Sequence, residues 1–146
     1  MTQTLCLLAC LAATFFMTGV IVFVHVVHYP LFNATGPEAF AAYHREHVRL
    51  TGYVVMVPMV VELATAALLA WSPPAGSGPR LAWAGLGAAA LTWGVTAFYS
   101  VPCHNRLAMG FDPATHARLV STNALRVVAW GAHSAVVLVM AARAMR

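Results

Sequence analysis

An all-α, four-helix transmembrane bundle is the fold the sequence predicts, and three observations predict it. Hydrophobic residues fill 61% of the 146 positions and charged residues only 8%, with a mean hydropathy of +0.77, a balance foreign to water-soluble domains. Four runs, Thr4 to Val27, Val48 to Trp71, Leu81 to Val101 and Ala117 to Ala141, each supply the ~20 residues that cross a ~30 Å hydrocarbon layer. Between them lie breaks rich in Pro, Gly and polar residues. Residues 1–146 are therefore read as a single transmembrane domain, a multi-pass protein expected in a bacterial inner membrane.

The first run is apolar nearly all round, as a lipid-facing helix should be. Its segment before Thr4 has no positive charge and the run continues to His28, so it is expected to be a retained span and not a cleaved signal. Thr14, Thr18, His25 and His28 fall on one stripe, which should face the bundle interior. Pro30 biases Tyr29 toward an extended conformation and is expected to end the helix. After a turn-rich loop at Asn33, Gly36 and Pro37, an amphipathic stretch from Pro37 to His47 leads into the second run, with Phe40 and Tyr43 suited to the interface.

The second run contains Pro58, which removes one backbone hydrogen bond, and Glu62. Residues 71–79, WSPPAGSGP, form a short loop. The third run begins with small residues, Gly85, Gly87 and Ala88 to Ala90, which permit close helix approach. A second long loop, from Pro102 to Leu119, repeats the layout of the first: a proline, a glycine, an acid, then H-x-R-L. His47-Val48-Arg49-Leu50 and His116-Ala117-Arg118-Leu119 suggest two tandem helical hairpins. An even number of spans puts both termini and the short loop on one side, and six of the seven His on the other.

The formal charge of +4 comes from eight Arg, no Lys and four acids. These Arg are scattered at helix ends, a pattern of interfacial anchoring and not of nucleic-acid binding. Cys6, Cys10 and Cys103 lack C-x-x-C spacing and read as packing residues.

Chemistry is expected in two layers. On the long-loop side, the pairs His25/His28 and His44/His47 each present two imidazoles three residues apart on a helix, hence on one face. With His104 they offer nitrogen donors to a transition metal, iron or copper ahead of zinc. The plain alternative is that interfacial His and Tyr anchor helix ends. Deeper in the bilayer, Glu62 lies fourteen residues beyond Val48, about 21 Å, and His133 sixteen beyond Ala117, about 24 Å. Their depths match, and they are expected to meet, as a proton-handling pair or a polar clamp. Arg126 shares one face of the last helix with Asn123, Trp130 and His133. A charge at that depth costs about 2.5 to 3.5 kcal/mol on insertion scales, so it should face inward. There Asn123 and Arg126 could hold a substrate oxygen.

Pro102, Asn105 and Leu107, then Thr122-Asn123-Ala124-Leu125-Arg126 with Trp130, resemble the anthrone-oxygenase-like group of small four-helix membrane proteins. The resemblance covers the second half of the chain. It implies a four-helix fold and oxygenation of a polycyclic aromatic substrate. Separately, Asn105, Asn123 and Arg126 are expected to bind the substrate. The H-x-x-H pairs have no counterpart in that group.

The expected function is an integral membrane oxidoreductase or oxygenase acting on a hydrophobic small molecule drawn from the lipid bilayer. Its metal would be held by His25, His28, His44, His47 and His104, and Glu62, Arg126 and His133 would be catalytic. A homo-oligomer is expected because small-residue faces can bury more by association. Two other classes stay open: a haem- or quinone-binding electron carrier with opposed His ligands, and a small transporter or assembly factor using Glu62, Arg126 and His133 as a polar path.

Overall fold

The computed structural model describes residues 2–146, and the described residues are almost wholly helical, with no strand. Four rods are each long and apolar enough to cross a membrane. The first comprises α1 (Thr2–Phe23), a π turn (Val24–His28), the short α2 (Tyr29–Leu31) and a 3-10 turn (Phe32–Ala34). The second is α3 (Pro37–Trp71), unbroken through Pro58. The third joins α4 (Pro79–Val95), a second π turn (Thr96–Ser100) and α5 (Val101–Leu107). The last is α6 (Pro113–Ala144).

Each rod is longer than the hydropathy runs predict, and the extra turns lie mostly on the long-loop side. At 1.5 Å per residue, the 32 residues of α6 span about 48 Å, well beyond the hydrocarbon layer. Histidine and charge lower the hydropathy there, but the backbone stays helical.

Pro30 and Pro102 do not end their helices, contrary to the expectation. Each follows two residues after a π turn, in the first turn of the next α segment, where the fixed φ of proline suits the helix. Tyr29 accordingly has helical φ −65° and ψ −41°, and its N–H bonds back to the Val24 carbonyl, five residues earlier. The two hairpins share this π turn and proline layout.

The interior is stratified. Nearest the termini, Leu7, Cys10, Ala66, Leu69, Ala82, Ala89, Val137 and Met140 form an apolar layer. Gly85 lets α4 approach α6 here, since a Cβ on it would stand 3.3 Å from Val136 Cγ1 and 3.6 Å from the His133 ring. The loop that closes this end turns through Gly76 and Gly78, at φ 73° and 71°; at Gly76 a side chain would also crowd the Arg143 carbonyl at 3.2 Å. Met17, Ile21, Met59 and Trp130 pack at mid-depth. On the long-loop side Val24, Tyr29, Phe32, Phe40, Cys103, Leu107 and Leu119 form a third layer. Arg45, Glu46, Arg49, Arg106 and Arg118 are exposed around it, marking where the hydrocarbon ends.

Candidate functional site

At mid-bilayer the fully buried Glu62 accepts the Trp130 indole N–H on both oxygens, at 3.0 and 2.9 Å, and meets His133 Nδ1 at 2.8 Å. The contact expected from matched helix depths is thus present. Trp130 is the added member: it lies three residues before His133 on the same face of α6 and was legible only as part of the Asn123, Arg126, Trp130, His133 stripe. Thr18 ties this level to α1, bonding the Ser134 hydroxyl at 2.8 Å and the Trp130 carbonyl at 3.3 Å.

Arg126 faces inward and is 6% exposed. Its Nη1 donates to Asn123 Oδ1 at 3.1 Å and to Ser100 Oγ at 3.4 Å, and its guanidinium lies 5.2 Å over the Trp130 ring. Among the described residues no carboxylate pairs with it, and both Arg126 Nε and Asn123 Nδ2 are buried without a partner.

Toward the long-loop side, four imidazoles pack together. His28, on the first π turn, and His47, on α3, share a hydrogen bond of 2.7 Å between Nε2 and Nδ1, and Thr51 Oγ1 also reaches His47 Nδ1 at 3.1 Å. His104, on α5, meets His44 Nε2 through its Nδ1 at 3.2 Å and the Tyr29 hydroxyl through its Nε2 at 3.0 Å. The His28/His47, His44/His47, His44/His104 and His47/His104 ring centroids are 4.5, 5.7, 5.1 and 5.5 Å apart. Phe32, fully buried, packs its ring against His28, His44 and His47. His116 closes the layer from α6 by bonding the Tyr29 carbonyl at 2.8 Å.

Proton accounting shows what this layer can do. A neutral imidazole carries one N–H and one acceptor nitrogen. If the Tyr29 hydroxyl donates to His104 Nε2, His104 Nδ1–H donates to His44 Nε2, and His44 Nδ1 must carry a hydrogen. If the three groups are reversed, His44 Nδ1 is a bare lone pair. In both arrangements the chain ends at His44 Nδ1, which is buried without a partner. Tyr29, His104 and His44 therefore form a short wire along which a proton can be passed.

His25 stands apart. Among the described residues no hydrogen bond or ring contact joins it to the other four His, and its Nδ1 has no partner. The expected shared face with His28 fails because both lie in the π turn, whose wider turn rotates each residue less than an α-helix does. Among the described residues no group of three or more His, Cys, Asp or Glu side chains is arranged to hold a metal ion; the four imidazoles are instead joined in two pairs. Asn105 is exposed on the outer side of α5, away from the buried groups. Cys103 is packed in the apolar layer.

Between the Glu62 level and the His layer lies a cavity of about 330 Å³, which sequence reading did not foresee. Its body is apolar, built by Met17, Ile21, Val55, Met59 and Trp93, and its polar end carries Tyr29, His47, His104, Ser100 and Arg126. On its lipid side Val48, Met56, Ala97 and Val101 are exposed, so the cavity opens laterally between α3 and the third rod. No single run could reveal it, because its wall is assembled from residues that read singly as lipid-facing or packing positions. No family model, curated protein or solved structure matches the chain.

Proposed function

We propose that the chain is an integral membrane oxidoreductase of the oxygenase kind, taking a hydrophobic substrate from the bilayer into the cavity and reacting it at the His layer. One observation carries this reading: a lipid-open apolar cavity ends on His47, His104, Tyr29 and Arg126, joining a place for a hydrophobic body to groups that move protons and bind oxygen. Its volume is in the range of small-molecule sites.

Iron or copper is the proposed redox centre; His44 and His104 would be its first donors, and His28 and His47 would have to leave their mutual hydrogen bond to join them. Two nitrogens bound about 2.0 to 2.1 Å from one ion at a tetrahedral angle stand roughly 3.3 Å apart. His44 Nε2 and His104 Nδ1 are separated by 3.2 Å, which favours these two as neighbouring ligands. When bound, the ion would supply a redox-active site for dioxygen, the oxidant that an oxygenase consumes and that no side chain here replaces. The family resemblance in the second half of the chain supports the oxygenase class independently of the metal.

Elemental analysis and an optical spectrum of chelator-free, detergent-purified protein test the proposal. Near-stoichiometric iron or copper without a Soret band, lost in a folded His44→Ala/His104→Ala variant, is the expected result. A Soret band would replace it with the haem-carrier reading. Folded protein without either metal would overturn the metal centre.

A further inference from the structure

We propose that the substrate of this cavity is a lipophilic carboxylate, its head held by Arg126 and its tail lying among Met17, Val55, Met59 and Trp93. This deepens the functional reading above and rests on the cavity being a substrate site. The argument begins with an unbalanced charge. Arg126 is a permanently ionised group held nine-tenths buried in the bilayer interior without a carboxylate partner among the described residues. The one acid at that level, Glu62, already accepts from Trp130 and His133. Among the described residues the compensating anion is therefore missing, and the cavity is where one can arrive.

The guanidinium is also oriented for it. Nη1 is engaged by Asn123 and Ser100, while Nε is buried without a hydrogen-bond partner. The Nε side of a guanidinium carries two parallel N–H groups, the fork that a carboxylate accepts in bidentate fashion, and here its Nε–H is unclaimed. Asn123 and Ser100 pin the other edge and so fix the plane of the fork. Asn123 Nδ2, buried beside it without an acceptor, supplies one more donor. The cavity's other polar groups, Tyr29, His47, His104 and Ser100, belong to the same polar end as Arg126, and the apolar body leaves a wall for a tail.

Trp93 lies in the cavity wall, so its fluorescence reports occupancy. In lipid nanodiscs, a bromine-tipped medium-chain fatty acid and the matching bromo-alcohol are titrated against the wild-type protein, Arg126→Gln and Gly52→Phe. Gly52 lines the cavity and a Cβ there meets nothing within 4 Å, so Phe fills the space without displacing the backbone. The expected result is saturable quenching by the acid at about tenfold or more lower concentration than by the alcohol. Arg126→Gln should erase that preference and leave the alcohol's affinity in place, and Gly52→Phe should abolish both. Equal affinities for acid and alcohol in the wild type would overturn the carboxylate while leaving the cavity as a substrate site. No saturable quenching by either would overturn the cavity reading and the carboxylate with it. The wild-type comparison needs no variant, so it stands even if Arg126→Gln does not fold.

Discussion

At the scale of residues, Glu62 shows how a costly group is made tolerable. A carboxylate deep in the bilayer survives because three short contacts converge on its two oxygens. Removing it strands the Trp130 N–H and His133 together, so Glu62→Ala should lower stability by about 3 kcal/mol, whereas Glu62→Gln keeps an acceptor for Trp130 and should cost about 1 kcal/mol. His133→Ala leaves the carboxylate underpaired and should cost as much as Glu62→Ala, again about 3 kcal/mol. Because the two act as one unit, the double alanine variant should be little worse than either single one. Thermal unfolding in nanodiscs measures all four, and simple additivity would show that the pair is not coupled.

Among helices, two contacts make opposite demands on small changes. Gly85 faces Val136 and His133 closely, while a Cβ on Gly87 meets nothing within 4 Å. Gly85→Leu should therefore push α4 off α6 at a cost of about 1 to 3 kcal/mol, and Gly87→Leu should be neutral; equal losses would contradict this packing. At the start of α6, Asp112 accepts from the Thr115 backbone N–H at 3.2 Å and from the Thr115 hydroxyl. The Thr115 hydroxyl above all holds its carboxyl below the ordinary carboxylate range. A depressed folded pKa means that the cap stabilises α6 above the ordinary carboxylate pKa and loses this effect as pH falls through the folded value. Amide exchange over Thr115 to Ala117 should accelerate in that acid window in the wild type, and at neutral pH in Asp112→Ala. An Asp112→Ala first turn as protected as the wild type at neutral pH would refute the cap.

The same elements show what could be read from the sequence. Hydropathy placed the four spans, and counting residues from each span's edge placed Glu62 opposite His133, because depth in a helix is linear in residue number. The π turns were not legible: Val24 to His28 and Thr96 to Ser100 contain nothing that distinguishes a wide turn from an α turn. That one irregularity separates His25 from His28, carries the rods past Pro30 and Pro102, and brings His104 against His44. The cavity was hidden for a different reason, since it belongs to no element and exists only where several meet.

For the whole molecule, four rods place the termini and the loop before Pro79 on one side of the membrane, and Asn33 and Met109 on the other. Cysteines introduced at Ser72 and Arg146 in a Cys-free background should label from one side, and those at Asn33 and Met109 only from the other. Any mixed pattern would break the four-span topology. Within this frame the cavity lies beneath the His layer, its body apolar and its polar end carrying Arg126, His47 and His104. The central claim is that these imidazoles form a redox centre at the cavity's end. X-ray absorption at the edge of the metal that co-purifies with the protein tests it most directly. We expect iron or copper with the multiple-scattering pattern of two or more imidazoles, diminished in His44→Ala/His104→Ala. Metal lacking imidazole scattering, or folded protein with no metal to measure, would contradict it.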